Sequence, residues 1–400
     1  MMKKSIRDIN LKNKKVLVRV DYNVPIGNNG EVEDDTRIKE SLPTIRYLLE
    51  QNCAVILMSH LGRPKGKPEP KYSLKPVAKR LEELLGKSVI MAEGITDDKT
   101  KQLAQSLDNG KILMLENIRF DPREEKDDIE FAKEITSLVG SDGVFVQDAF
   151  GSVHRAHSST HAVAKFLPSV CGFLLEKEIT YFDKILKSPE KPYVAVLGGA
   201  KVSDKIGVIE NLLTKVDAII IGGAMAYTFL LSRGINVGNS LVEQDKVDLA
   251  KELLKKAEQK NVNILLPIDH IIATKLDKDA EYKYIDHIDI PEGWIGVDIG
   301  KNTISRVSNI ILSAKTIVWN GPMGVFEIEQ FSEGTRRIAE LIAQATQKGA
   351  TTVVGGGDSV SAVKKFNLEG KFSHISTGGG ASLELLEGKS LPGIEVLQDK

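Results

Sequence analysis

The chain has 400 residues, 42% of them hydrophobic and 27% charged, with a formal net charge of −1. That length suffices for two domains with complete cores, and the composition is that of a soluble globular protein. A nearly balanced charge excludes a broad basic surface for nucleic acid, so any anion site has to be local.

In chain order, Met1 to Lys15 is polar and basic and lacks the apolar core of a secretory signal. The first half then offers β-branched apolar runs at Val16–Val20, Ala54–Ser59, Lys111–Leu115 and Gly143–Gln147. Pro76 reads as a first-turn proline ahead of Val77, Ala78, Leu81 and Leu84-Leu85, and helical spacing recurs over Ile129–Leu138. Gly172-Phe173 opens a further helical run through Leu174, Leu175, Ile179 and Leu186 that ends near Ser188-Pro189, where proline opposes its continuation. The second half has strand candidates at Val194–Leu197, Ala218–Ile221, Asn263–Leu266, Thr316–Trp319 and Thr351–Val354. Its helical runs are Asp245–Ala257 and Thr335–Ala345. The longest apolar stretch, Ala218 to Leu231, is broken by Gly222-Gly223 and is too short to cross a bilayer. Cys53 and Cys171 sit in apolar surroundings without metal-ligand spacing, which fits a reducing cytoplasm better than a disulfide framework.

The strand candidates are apolar at successive positions, as parallel strands covered on both faces require. Their alternation with helices predicts an α/β protein with doubly wound parallel sheets. The strands are too many for one modest sheet. The expected architecture is therefore two Rossmann-like domains joined by a helix: an N-terminal domain over 1–171, a connecting helix over 172–188 and a C-terminal domain over 189–387.

The residues at the end of each run differ between the halves. In the first half the runs end on Arg19-Val20-Asp21-Tyr22-Asn23, His60-Leu61-Gly62-Arg63, Asn117-Ile118-Arg119 and His154-Arg155. In the second they end on Gly198-Gly199-Ala200-Lys201, Gly222-Gly223-Ala224, Gly355-Gly356-Gly357-Asp358 and Gly378-Gly379-Gly380-Ala381. Arginine grips small anions through paired donors. Glycine lets the backbone approach phosphates, and the next helix offers free N–H groups. The halves thus read as one site for a small acidic substrate and one for a nucleotide.

No familiar phosphate motif is complete. Gly86-Lys87-Ser88, Gly388-Lys389-Ser390 and Gly66-Lys67-Pro68 all have leucine where a Walker A loop needs its first glycine, and the dinucleotide fingerprint lacks its third glycine. That absence opposes a nicotinamide dehydrogenase. Singly, each glycine cluster also reads as a tight turn, and Lys201 and Lys205 as a solvated first helical turn. By spacing alone Asp358 is either a magnesium contact or a helix N-cap. Asp21 and Asn23 are turn formers, and His60 a hydrogen-bonding group at a strand end. Zinc at His154, His157 and His161 is opposed by Arg155 between them and by the lack of a nearby cysteine.

The combination of motifs is more specific. Arg19-Val20-Asp21-Tyr22-Asn23-Val24-Pro25 closely resembles the phosphoglycerate kinase signature. Asp35-Thr36-Arg37-Ile38, Ser59 to Pro64, Glu116 to Phe120 and His154 to Ser159 resemble the rest of that family's substrate half. Gly198 to Lys205, Asn320 to Glu327, Gly355 to Asp358 and Ser376 to Ala381 resemble its nucleotide half. The resemblance runs from about residue 5 to the C-terminus in the family's order. Two departures are mild: Ala224 stands where many members carry glycine, and Ser359 where threonine is frequent.

The resemblance implies reversible phosphoryl transfer from 1,3-bisphosphoglycerate to ADP, giving 3-phosphoglycerate and ATP, with Mg²⁺. It implies that Arg63, Arg119 and Arg155 grip the 3-phosphate, that Asp21, Asn23 and His60 orient the other end, and that Arg37 reaches the transferring phosphoryl. Gly199, Ala200, Gly222 and Gly223 would border the adenine. Pro322 and Val325 would pack on the nucleoside, and Glu327 would take the ribose hydroxyls. Lys201, Lys205, Asn320, Gly357 and Ser359 would lie along the nucleotide, with Asp358 on the magnesium. Arg37, Lys201 and the N–H groups of Gly378, Gly379 and Gly380 would surround the phosphoryl in flight. The family further implies a cytoplasmic monomer that binds neither nucleic acid nor membrane, with closing domains and a C-terminal stretch, 388–400, that returns to the first domain. A non-catalytic relative on the same fold would have lost Arg37, Lys201 or Asp358, and all three are present.

Overall fold

The computed structural model describes residues 2–400, and the chain divides into two compact units. One takes the residues up to Thr180 together with Ser390–Lys400; the other takes Tyr181–Lys389.

The first unit is built on six parallel strands, β1 (Lys15–Arg19), β2 (Ala54–Met58), β3 (Val89–Met91), β4 (Ile112–Met114), β5 (Val144–Gln147) and β6 (Ser169–Cys171), in the order β3-β4-β2-β1-β5-β6. Register is regular, with Lys15 beside Ala54 and Val16 beside Val144. Every residue of β2, β4 and β5 is buried, which explains why these segments lack polar alternation. The chain winds from β1 toward β2, then crosses to β5. The carboxyl ends of β1 and β5 therefore flank the switch point where open sheets bind ligands. The C-terminal segment packs into this unit: Lys4 N–H donates to Gln398 O at 2.8 Å, and Gly393 N–H to Val153 O at 2.9 Å.

The second unit repeats the plan with β7 (Tyr193–Leu197), β8 (Ala218–Ile221), β9 (Asn263–Leu265), β13 (Thr316–Asn320), β14 (Thr351–Gly355) and β15 (His374–Ile375), in the order β15-β14-β13-β7-β8-β9. Its switch point lies between β7 and β13. A separate antiparallel sheet, β10 (His270–Ala273), β11 (Tyr282–Ile285) and β12 (Ile295–Ile299), is ordered β11-β10-β12. Among the described residues no helix is long and apolar enough to cross a membrane.

Every strand candidate of the sequence is a strand in the fold. The short edge strands β3, β6 and β15 and the antiparallel sheet had no adequate signal. The helix Lys75–Leu85 has proline in its first turn as expected, and Ile129–Ser137, Val247–Gln259 and Glu333–Gln347 agree within about two residues. The boundary between the units falls within the helix Phe173–Lys187. The first turn of that helix is satisfied from elsewhere in the first unit. Thr44 Oγ1 accepts the Phe173 N–H at 2.9 Å, and Asp148 Oδ1 accepts those of Leu174 and Leu175 at 2.9 and 3.2 Å. Thr36–Glu50 is a helix although Pro43 lies inside it, because its apolar side, including Ile38, Ile45 and Leu48, is buried in the core.

The loops after β7, β8 and β13 cross backbone against backbone. Gly199 N–H donates to Pro322 O at 3.2 Å, Gly223 N–H to Met323 O at 2.8 Å, and Met225 N–H to Gly199 O at 3.0 Å. A Cβ on Gly198 would lie 2.0 Å from Pro322 O, and one on Gly223 2.5 Å from Gly199 N. Neither obstacle is a side chain that could rotate away. Gly198→Ala is therefore expected to lower stability by about 1–3 kcal/mol through overpacking. Gly357→Ala, where a Cβ meets nothing within 4 Å, should stay within about 0.5 kcal/mol. Urea unfolding of both variants checks this, and equal losses would contradict it.

Candidate active site

In the first unit, polar side chains emerge from the carboxyl ends of β1, β2, β4 and β5. Arg37 reaches back from its helix so that Nη1 donates to Asp21 Oδ1 and to Asn23 O, both at 3.0 Å. Asn23 Oδ1 accepts the N–H of Gly62 at 2.9 Å, and Arg119 Nη1 donates to Gly62 O at 2.9 Å. Asn117 completes the frame, its amide donating to Leu61 O at 2.7 Å and to Tyr72 O at 2.9 Å. Arg63 and Arg155 are exposed, whereas Arg119 and His60 are buried.

The electrostatics are those of a cluster of cations. Burial lowers the pKa of Arg119; Glu125 opposes that shift, while the like charges of Arg155 and Arg63 add to it. His60 is driven well below an ordinary histidine by burial and then by Arg19, Arg119, Arg37 and His157. His157 falls to about 3 through burial and the charges of Arg119, Arg19 and Arg155. Both imidazoles are therefore neutral near pH 7. Arg19 Nη2 lies 3.0 Å from His60 Nδ1. A guanidinium only donates, so Nδ1 is the acceptor and the ring proton sits on Nε2.

Two buried charged groups here were not among the candidate ligands of the sequence: Arg19, which lay in a quoted motif without a role, and Glu124. Arg19 is fully buried, donates from Nε to Ser159 Oγ at 2.9 Å, and is brought to about 10 by burial against the opposing pull of Glu124 and Asp21. Glu124, also fully buried, accepts from Ser159 Oγ at 2.6 Å and from Ser159 N at 3.0 Å. Nothing local distinguishes it from exposed Glu125. The histidines at 154, 157 and 161 have separate partners: His161 Nδ1 lies 2.6 Å from Asp127 Oδ2, and His154 Nε2 accepts from Arg155 Nε at 3.1 Å.

In the second unit a cleft of about 630 Å³ opens at the switch point between β7 and β13. Its walls include Gly199, Ala200, Lys201, Lys205, Asn320, Gly357, Asp358, Ser359, Gly379 and Gly380. The helices Ile206–Leu212, Gly357–Lys365 and Gly380–Leu386 begin beside it without side-chain caps. Unsatisfied N–H groups at helix starts favour an anion. Lys205 Nζ donates to Asn320 Oδ1, and burial lowers its pKa against the pull of Asp204, Asp358 and Glu387. The amide nitrogen of Asn320 is buried without a partner. Ser359 Oγ accepts the N–H of Gly321 at 2.6 Å and so fixes the floor.

Asp358 is not an N-cap: Gly356 holds that position, and Asp358 is exposed in the first turn. Gly378 is buried behind the wall with its N–H given to Ser376 Oγ at 3.2 Å, leaving Gly379 and Gly380 at the cleft. Gly222, Gly223, Pro322, Val325 and Glu327 lie outside the lining. The first three belong to the loop crossing, Val325 packs beside Val297 and Phe331, and Glu327 is exposed. Ser203, Asp204, Leu383 and Glu387 line the cleft without having been singled out as ligands.

Among the described residues, no group of three or more His, Cys, Asp or Glu could hold a metal. The carboxylates of Asp204 and Asp358 at the cleft instead suit an ion such as Mg²⁺ that keeps phosphate and water ligands.

The family model described as phosphoglycerate kinase matches residues 6–389. The chain is 57% identical over 401 aligned residues to the phosphoglycerate kinase of Fervidobacterium nodosum, covering 100% of this chain and 99% of that one. It is 52% identical to the cytosolic phosphoglycerate kinase 3 of Arabidopsis thaliana, covering 99% and 98%. The solved phosphoglycerate kinase of Coxiella burnetii superposes with a TM-score of 0.88 at 43% identity, covering 98% of each chain. That of Pyrococcus horikoshii gives 0.85 at 34% identity, again with 98% of each covered. With a family model matched over residues 6–389 and relatives matched over the whole length on the same two-sheet fold, this chain belongs to the phosphoglycerate kinase family.

Proposed function

We infer that this chain catalyses reversible phosphoryl transfer between 1,3-bisphosphoglycerate and ADP, yielding 3-phosphoglycerate and ATP. The observation that carries the reading is the pairing, within one chain of this family, of an arginine cluster with a backbone-lined cleft. We assign the small acid to the first unit. Arg63, Arg119 and Arg155 grip its phosphate, neutral His60 donates from Nε2 to an oxygen, and Arg37, oriented by Asp21 and Asn23, faces the migrating group. We assign the nucleotide to the second unit, its phosphates meeting Lys201, Lys205, Asn320, Gly357, Ser359 and the N–H groups at Gly379 and Gly380. The adenosine lies toward Gly199, Ala200 and the Gly222-Gly223 side, with Pro322, Val325 and Glu327 at the nucleoside edge. Mg²⁺, held by nucleotide phosphates and Asp358, would neutralise charge on those phosphates.

The transfer breaks the bond from phosphorus to the acyl oxygen and forms one to a terminal phosphate oxygen of ADP, and the carboxylate leaves with its electron pair. Both oxygens are ionised at neutral pH, so no side chain has to move a proton. The protein's task is positioning and charge stabilisation. In-line transfer needs the two oxygens within a few ångströms, and each ligand has its own unit. We therefore propose that the units close when both ligands are bound, excluding water from the acyl phosphate. The family expectation of a monomer is kept as part of this reading. The unpaired, buried Cys53 and Cys171 support a cytoplasmic setting.

A coupled assay for ATP formation from 1,3-bisphosphoglycerate tests the reading; no ATP would overturn it. Lys201→Ala should lower kcat on the order of 10²–10³-fold with 3-phosphoglycerate affinity kept. Arg155→Lys should weaken 3-phosphoglycerate binding while calorimetry finds ADP binding intact.

His60→Gln should retain substantial kcat and leave the pH–rate profile without a missing limb. The folded-state pKa of His60 lies below the unfolded value, so the group is already neutral throughout the neutral range and loses no proton there. A loss near 10⁴-fold would make it a base.

Closure predicts that the radius of gyration falls most with 3-phosphoglycerate and Mg-nucleotide together, and less with either alone. An unchanged radius in the ternary complex would remove closure from the mechanism.

A further inference from the structure

The loop between β7 and the helix Ile206–Leu212 carries Lys201 and Lys205, yet it starts on glycines that impose little conformation of their own. One anchor is Val202, which is fully buried. The second comes from a distant part of the chain. Ser203 donates twice to one carboxylate, from N–H to Glu243 Oε2 at 3.0 Å and from Oγ to Glu243 Oε1 at 2.6 Å. Glu243 is itself held, its N–H donating at 3.2 Å to Oγ1 of Thr228, a buried residue of the helix Met225–Ser232. Thr228, Glu243 and Ser203 thus form a chain of hydrogen bonds from a core helix to the cleft wall that contains Lys201, Ser203 and Lys205.

We propose that Glu243 is a positioning residue for phosphoryl transfer: it clamps the Lys201–Lys205 loop through Ser203 and presents the two lysines to the nucleotide phosphates. The proposal rests on the reading of the cleft as the nucleotide site. Glu243 does not line the cleft, and a bare carboxylate beside phosphates would repel them. Engaging both donors of Ser203 occupies that charge and at the same time orients the loop. Charge-assisted hydrogen bonds are about twice as strong as neutral ones and shorter, as the contact to Ser203 Oγ is. The clamp needs two heteroatoms on one planar group more than it needs a charge. A glutamine can accept the Ser203 N–H through its oxygen and donate to Ser203 Oγ through its nitrogen, because the hydroxyl rotates.

The first test uses the ligand-free protein and is independent of the catalytic reading. In hydrogen exchange the Ser203 amide should be protected in the wild type and in Glu243→Gln, and should exchange at least tenfold faster in Glu243→Ala. An unprotected Ser203 amide in the wild type would overturn the clamp, even if no variant folded.

The second test is kinetic. Glu243→Ala should lose about tenfold in kcat and gain several-fold in KM for Mg-ADP, with the KM for 3-phosphoglycerate unchanged, and Glu243→Gln should restore most of both. Ser203→Ala combined with Glu243→Ala should cost little more than either alone, as two residues acting through one contact require. Additive losses, equal damage from Gln and Ala, or a parallel rise in both KM values would overturn the proposal. A wild type with slow Ser203 exchange but no ATP formation would overturn the assigned reaction and leave the clamp standing.

Discussion

Three loops of the second unit meet with nothing between their backbones, and the cleft at its switch point depends on that meeting. Gly198, Gly223 and Gly321 each approach a neighbouring main chain closely enough that a methyl group would overlap it. The gain is double. Main-chain N–H and C=O groups pair across the loops, so this buried irregular backbone is not left unsatisfied. β7 and β13 are paired to their last residues, Leu197 beside Asn320, and the crossed loops hold the cleft open between these strand ends and the starts of three helices. A side chain at the crossing would push the loops apart and spread those donors.

The two units gather positive charge by different means. The cleft of the second combines Lys201 and Lys205 with the backbone at three helix starts. The first gathers several guanidiniums. Arg19, Arg119, Arg63 and Arg155 act on one another and on the nearby histidines, as the depressed pKa values of His60 and His157 record. Such an arrangement is tolerable only with internal compensation. Glu124, buried among these cations, accepts from Ser159 and offsets part of their charge. Asp21 does the same for Arg37. The balance left over is positive and local, although the whole chain carries a formal charge of −1. An anion that binds there relieves the repulsion, and it stabilises the folded state by an amount that grows with the logarithm of its concentration over Kd.

Neutral imidazoles result first from burial and then from the same field. Two buried histidines among several guanidiniums do not hold a proton near pH 7, which removes them as acids or bases and leaves them as directional hydrogen-bonding groups. For a transfer between two oxygens that are already ionised this is no handicap. It also lets the site keep one protonation state across the neutral range.

Much of the architecture was legible in the residues, because a parallel strand buried on both faces has to be apolar at consecutive positions, and β2, β5, β8 and β13 are. Strands such as β3 and β15 were not, since two or three residues carry no period. The helix Thr36–Glu50 was hidden by Pro43, whose local cost is outweighed by burial of its apolar side. The residue types at the strand ends announced an arginine site and a glycine site, because chemistry that binds anions needs particular side chains or their absence. Which of those residues face the ligand was a different matter. Glu124 against Glu125, the buried guanidinium of Arg19, the withdrawal of Gly378 and the reach of Glu243 to Ser203 all depend on contacts between segments far apart in the chain. Local sequence determined what each strand and loop could do, through side-chain chemistry and backbone freedom. Only the tertiary structure decided which charges were buried, paired or left facing the site, because burial and partnership belong to the neighbours that folding supplies.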